Sequence, residues 1–367
     1  MNIIIFIIIL AVLVISHEFG HFIVARLFGV RVDEFGFGYP PRLAKLFKKG
    51  DTEYTLNWLP FGGFVKIFGE NPDDENTNGP DKARSFVHKP AWQQALILVA
   101  GVAANFLLAW LLISVGFMSG TPASVSGTPS GFTLQDQKLV ILDVSKGSAA
   151  EAAGLKTGDA VLSLQSGKDS LANPTPDTLR EFVVEHGANP LHIYILEDGA
   201  QKMLELTPKI NEENGVAVIG IQMDTIGVIK LPFFKALGYG MKETLSMTKE
   251  IAVSLWHLVR DSFAGKADFN QITGPVGIVG IVGDAAKFGF VYLMSFTALI
   301  SINLAVINLI PFPALDGGRL LFIIIEKIKG SRIKPQIANW LNTIGFSLLI
   351  LLMVVVTYHD IAKLFAK

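Results

Sequence analysis

His17, Glu18 and His21 stand in the run His17-Glu18-Phe19-Gly20-His21. On a helix, residues i and i+4 share one face a turn apart, so both imidazoles can reach a single Zn2+. The Glu between them sits beside the ion, where it can take a proton from water at the metal. Catalytic zinc usually has three protein ligands and one open position, so a third ligand is required. The chain has no cysteine, which excludes thiolate ligands, disulfides and cysteine nucleophiles, and only seven histidines. His88, His186, His192, His257 and His359 have no ligand spacing and read as ordinary surface or core histidines. The candidate is Asp316, at the end of Asn308-Leu309-Ile310-Pro311-Phe312-Pro313-Ala314-Leu315-Asp316-Gly317-Gly318. Pro311 and Pro313 must break a helix, and Gly317-Gly318 is expected to let the chain turn sharply. By residue type alone, an Asp in such a place is more often a cap or turn residue than a ligand, so both readings stand.

These residues must be positioned by apolar elements. Half of the 367 residues are hydrophobic, 17% are charged and the mean hydropathy is +0.46. The apolar residues cluster into four segments long enough to cross hydrocarbon as helices, and four spanning helices are expected. They lie within residues 1–28, 94–118, 287–318 and 337–359, the first carrying the His-Glu-His run and the third the Asp316 motif. A Glu and two His at the end of an apolar helix each cost several kcal/mol if unpaired in lipid, which a bound metal would offset. The first segment lacks a basic start and a small-residue cleavage site, so it reads as a retained span and not a signal peptide. Asn105 and Asn303, in apolar helices, read as interhelical hydrogen-bonders. The net charge of −1 argues against nucleic acid as a partner.

Between the spans the character changes. Residues 29–93 are polar but rich in Gly and aromatics, and read as short strands with turns, apart from a mobile loop over Asn71–Ala83. Residues 119–225 carry strand-like runs such as Leu139–Val144 and Leu191–Leu196 with a helix near Thr178–His186, and form one inserted α+β domain. Residues 226–286 hold an amphipathic helix, on the membrane surface or packed on the bundle, and a connector. Residues 319–336 read as a loop with Arg319, Lys327, Lys329, Arg332 and Lys334 against Glu326, which places it in the cytoplasm by the positive-inside rule. With four spans, residues 29–90 share that side, and the inserted domain and both termini lie outside; Lys363 and Lys367 lean the other way.

His17-Glu18-Phe19-Gly20-His21 followed by the Asn308–Gly318 motif resembles the site-2 protease family of intramembrane zinc metalloproteases, of the bacterial regulator-of-sigma-E type. Phe86–Asn105 and Gly274-Pro275-Val276-Gly277-Ile278 extend the likeness over nearly the whole chain. Val102 stands where the family has a proline, which leaves a bend in the second span open. The resemblance implies zinc held by His17, His21 and Asp316, with Glu18 as general base. It also implies that Asn308 contacts the substrate backbone and that the Gly29–Ile67 region holds unwound substrate by strand addition. Gly147–Val161 resembles part of a PDZ domain, implying a peptide groove or a size filter outside the cell. The expected location is the bacterial inner membrane, with the active site toward the cytoplasm. The expected substrates are transmembrane proteins, such as anti-sigma factors already trimmed by another protease, or leftover signal peptides. Two rivals remain: a membrane zinc protease with a downstream Glu ligand, and a non-catalytic PDZ adaptor.

Overall fold

The computed structural model describes residues 2–71, 74–125, 134–197, 199–211, 215–265, 273–287 and 289–365. The chain divides into two compact units, residues 117–233 and the remainder. The larger unit begins with α1 (Asn2–Leu27), β1 (Val32–Lys49), β2 (Thr52–Ile67), α2 (Asp74–Asn78) and α3 (Ala91–Ser119). After the smaller unit it resumes with α6 (Phe233–Phe263), α7 (Pro275–Lys287), α8 (Phe290–Asn308), α9 (Asp316–Lys329) and α10 (Pro335–Phe365). Four helices are long and apolar enough to cross a membrane: Asn2–Leu27, Ala91–Ser119, Phe290–Asn308 and Pro335–Lys363. From Ile3 to Ile15 helix α1 is apolar all round, as a helix must be when it meets lipid on one side and other spans on the other.

Strands β1 and β2 pair antiparallel, but with repeated register shifts, because each is bent into two arms. Glu34–Phe37 pairs with Lys66–Gly63 on one side and with Glu53–Leu56 on the other. Lys49–Arg42 pairs with Thr52–Asn57. The short strands expected for this region are therefore four arms of one sheet, and Gly63–Ile67 is an outer arm. The sheet is fastened to α1 and α3 by a core of Phe22, Val32, Phe35, Ile67, Phe86, Ile97 and Leu98. Phe22 meets Phe35 and Tyr54 edge to face, at 5.4 and 6.2 Å between ring centres.

Three local expectations change. The segment read as a mobile loop contains α2, with residues 72–73 outside the described set. The segment read as a cytoplasmic loop is mostly helix, α9, closed by Gly330 in the left-handed conformation (φ 72°). Its apolar residues fall at helical spacing, a pattern masked by the basic residues among them. Helix α3 runs unbroken through Val102. The amphipathic helix is α6, which leaves Leu245, Val253, Trp256 and Val259 exposed. Helix α7 is anchored by the Asp360 carboxylate of α10, which accepts from the backbone N–H of Gly274 (3.1 Å) and Gly277 (2.8 Å).

The smaller unit is α+β. It contains β3 (Thr121–Ser124), β4 (Gln135–Val144), α4 (Ala149–Ala153), β5 (Ala160–Ser166), β6 (Asp169–Ala172), α5 (Pro176–His186), β7 (Leu191–Glu197), β8 (Ala200–Leu206), β9 (Lys209–Ile210), β10 (Ala217–Val218) and β11 (Ile221–Ile229). The main sheet runs β3-β11-β4-β5-β7-β8, with β6 paired to β5. Leu191, Ile193 and Ile195 alternate inward along β7 and are fully buried with Leu139, Ile141 and Leu179. Helix α5 starts at a Thr175–Thr178 capping box with Pro176 in its first turn.

Candidate active site

Helix α1 carries His17 and His21 on one buried face, and both imidazoles point at the first residue of α9. His17 Nε2 lies 3.0 Å from Asp316 Oδ2, His21 Nε2 lies 3.3 Å from the same oxygen, and the two nitrogens are 3.1 Å apart. Ligands at about 2.0–2.2 Å from a tetrahedral zinc would be separated by about 3.3 Å, so the triangle has the edge length that zinc requires. Among the described residues, His17, His21 and Asp316 form the one group of three or more His, Asp or Glu side chains able to share a metal.

The chemistry of the donors points the same way. His21 Nδ1 is 2.8 Å from the carbonyl oxygen of Ile97, which can only accept, so the proton sits on Nδ1 and Nε2 presents a lone pair. Among the described residues, the buried Asp316 Oδ2 has no polar partner besides the two imidazole nitrogens. With neutral rings, lone pairs aimed at one buried point repel unless a cation lies between them. These residues therefore fit zinc.

Close packing of the backbone makes this convergence possible. A Cβ on Gly20 would lie 2.2 Å from the carbonyl oxygen of Ala100, and one on Gly101 would lie 2.3 Å from His21 Nε2 and 2.8 Å from His17 Cε1. Only glycine lets α1 and α3 approach so nearly. Gly101→Ala is accordingly expected to displace both imidazoles and weaken zinc binding by on the order of 10–100-fold, as lesions that misorient ligands do. Gly280→Ala on α7, where an added Cβ meets nothing within 4 Å, should leave metal content unchanged. Metal analysis of the two purified variants compares them directly.

The Asp316 side is built by a broken backbone. Helix α8 ends at Asn308, and α9 begins at Asp316 after the two prolines. The residue that turns the chain is Ala314, at φ +77°, and not the glycine pair. Gly317 and Gly318 lie inside the first turn of α9, and their lack of a side chain answers a different need. A Cβ there would meet the carbonyl oxygens of Ile310 and Phe312, each at 2.2 Å. The strained Ala314 is held from α10, where Asn342 Oδ1 accepts its N–H at 3.2 Å. Arg319, one turn into α9, pairs with Glu70 just beyond β2.

Glu18 is half-buried beside the triad, and its Oε2 accepts the backbone N–H of Val65 at 3.0 Å. That N–H belongs to the outer arm Gly63–Ile67, so the free edge of the sheet lies against this carboxylate. Asn308 is the half-buried last residue of α8. Asn105 reaches across to α1, as expected of an interhelical residue, its amide nitrogen 3.5 Å from His17 Nδ1. Asn303 does not cross: it donates to the Leu299 carbonyl of its own helix at 2.9 Å, which satisfies the amide locally. Sequence reading missed the Val65 contact, since a backbone N–H leaves no trace in residue type. It also missed Asn342, a polar residue in an apolar span whose rarity could have flagged it.

The sequence model of peptidase family M50 matches residues 5–352. The zinc metalloprotease RasP of Geobacillus kaustophilus is 31% identical, covering 99% of this chain and 98% of its own. The regulator of sigma-W protease RasP of Bacillus subtilis is 30% identical over 99% of both chains. The regulator of sigma E protease of Salmonella typhi is 28% identical, also over 99% of both.

Proposed function

The chain belongs to peptidase family M50 and is an intramembrane zinc metalloprotease, and from that premise we propose which residues do the work and on what. His17, His21 and Asp316 hold the zinc, Glu18 is the general base, and Asn308 contacts the substrate backbone. The observation that carries this reading is the 3.0–3.3 Å triangle of donor atoms at the end of an apolar helix. A membrane adaptor would have no use for such a triangle.

Bound at that triangle, the metal supplies a Lewis acid for the peptide carbonyl and lowers the pKa of water toward neutral. Glu18 takes the proton from the attacking water and returns it to the leaving amine. Its Oε2 is held by Val65, which fixes the carboxylate and leaves Oε1 for the proton. A transmembrane helix must unwind before its carbonyls can be attacked, because helical carbonyls are already hydrogen-bonded. The outer arm Gly63–Ile67 offers an unwound segment replacement backbone partners, and an added strand there runs past Glu18. A cavity of about 100 Å3 beside α9 mixes polar Glu70, Gln94, Arg319 and Asn342 with apolar Leu98 and Phe322.

The basic residues of α9 and its flank support a reading in which that end of the larger unit faces the cytoplasm of a bacterial inner membrane. Arg332 donates to the Val87 carbonyl at 2.8 Å, and Arg319 pairs with Glu70, so the sheet region shares that end. The smaller unit is then extracytoplasmic and PDZ-like. Its α5 and Val216–Met223 line an apolar groove of about 370 Å3, suited to gripping a peptide or to serving as a filter. The names of the two sigma-regulating relatives make trimmed anti-sigma factors the first substrates to try, with remnant signal peptides second.

The test uses the purified chain and a single-span reporter substrate. One zinc per chain is expected; a chelator should abolish cleavage, and added Zn2+ should restore it. Cleavage that survives complete metal removal would overturn the assignment.

A further inference from the structure

We infer that Asn105 is a positioning residue for the metal site: its side-chain amide accepts the Nδ1–H of His17 and thereby keeps the Nε2 lone pair of His17 on the ion. The inference rests on the reading that His17 is a zinc ligand, and it concerns an interaction which that reading does not supply.

The two ligand histidines differ in what holds the far side of the ring. His21 Nδ1 has the Ile97 carbonyl, which fixes its tautomer. Among the described residues, His17 Nδ1 has only Asn105, with the amide nitrogen facing it at 3.5 Å and the amide oxygen buried without a partner. A neutral imidazole that gives Nε2 to a metal must carry its proton on Nδ1. Two donors would then face each other across a fully buried gap. Exchanging the amide oxygen and nitrogen, positions that hydrogen-bond chemistry alone distinguishes, turns the clash into a hydrogen bond and gives the orphaned oxygen a donor. Ligand histidines almost always have such an acceptor behind them, and losing it costs about 10–100-fold in metal affinity.

Asn105 is well placed to hold that position. It is fully buried at the middle of α3, and its own backbone carbonyl accepts the Ser301 hydroxyl of α8 at 2.8 Å. One turn before it, Gly101 lies so close to the two rings that a Cβ there would fall 2.8 Å from His17 Cε1. The other polar contact from α1 to this stretch is Ser16 Oγ to the Ala104 carbonyl, at 3.5 Å, which leaves the amide free to serve the ring.

The experiment measures zinc affinity by chelator competition on the full chain in detergent for wild type, Asn105→Leu, Asn105→Asp and Ser301→Ala. Asn105→Leu matches the amide in size but cannot accept, and its affinity should fall about 10–100-fold. Asn105→Asp keeps an acceptor in place and should stay within about threefold of wild type, completing the carboxylate–histidine–metal arrangement common in zinc proteins. Ser301→Ala loosens the same helix contact without touching the amide and should bind as wild type does. The inference is overturned if Asn105→Leu binds zinc as tightly as wild type, if Asn105→Asp falls as far as Asn105→Leu, or if Ser301→Ala falls with them. Wild type that binds no zinc would instead refute the underlying assignment of His17, so the two failures are distinct.

Discussion

Asp316→Asn is expected to strip the protein of zinc and reduce cleavage to background. The substitution keeps the shape of the side chain, so the first turn of α9 and its contacts with the Ile310 and Phe312 carbonyls should survive. What it removes is the negative charge opposite two imidazole nitrogens 3.0 and 3.3 Å away. A direct ligand should matter more than the groups behind the ligands, so the loss of affinity should exceed the roughly 10–100-fold that those cost. Zinc quantification and reporter cleavage on the same preparation decide the matter. Stoichiometric zinc with normal cleavage in Asp316→Asn would remove this residue from the site and reopen the search for a third ligand.

Glu18→Gln should separate metal binding from chemistry. A glutamine presents the same carbonyl oxygen to the Val65 N–H, so the 3.0 Å contact between α1 and the outer arm can persist. It cannot accept a proton. Zinc content should match wild type, while turnover falls by at least 10²–10⁴-fold, the usual worth of a positioned acid–base group. At 1.36 kcal/mol per decade, that is about 2.7–5.4 kcal/mol of transition-state stabilisation. In cells the same variant should cause single-span substrates to accumulate uncut. Zinc loss in Glu18→Gln would show that the residue supports the metal and is not solely a base, and undiminished turnover would exclude it from catalysis.

The parts legible from sequence were those governed by spacing within one helix or by length. His17 and His21 share a face because four residues nearly complete a helical turn, and the spans announce themselves by uninterrupted apolar length. Distant chain segments meeting at a point left weaker traces. The sheet region carried strand composition, yet nothing in it revealed that Glu34–Phe37 pairs on both sides, since register is decided by bends and packing. By composition the turn before Asp316 falls to Gly317-Gly318, because glycine is the usual residue for a left-handed bend. The strain instead falls on Ala314, tolerated because Asn342 of α10 catches its N–H, while the glycines admit two carbonyls. Helix α9 reads as a loop in sequence because charge, useful for orientation, obscures its apolar period.

The seam between α1 and α3 has a consequence for how a substrate gets in. With the Gly20 backbone against the Ala100 carbonyl and Gly101 against both imidazoles, parting these two helices would pull apart the proposed zinc site before anything could be cut. A substrate's way in is therefore expected to leave this seam closed and to open where no ligand-bearing backbone is packed so tightly. Admission and hydrolysis would then belong to separate moving parts, one that yields and one that does not.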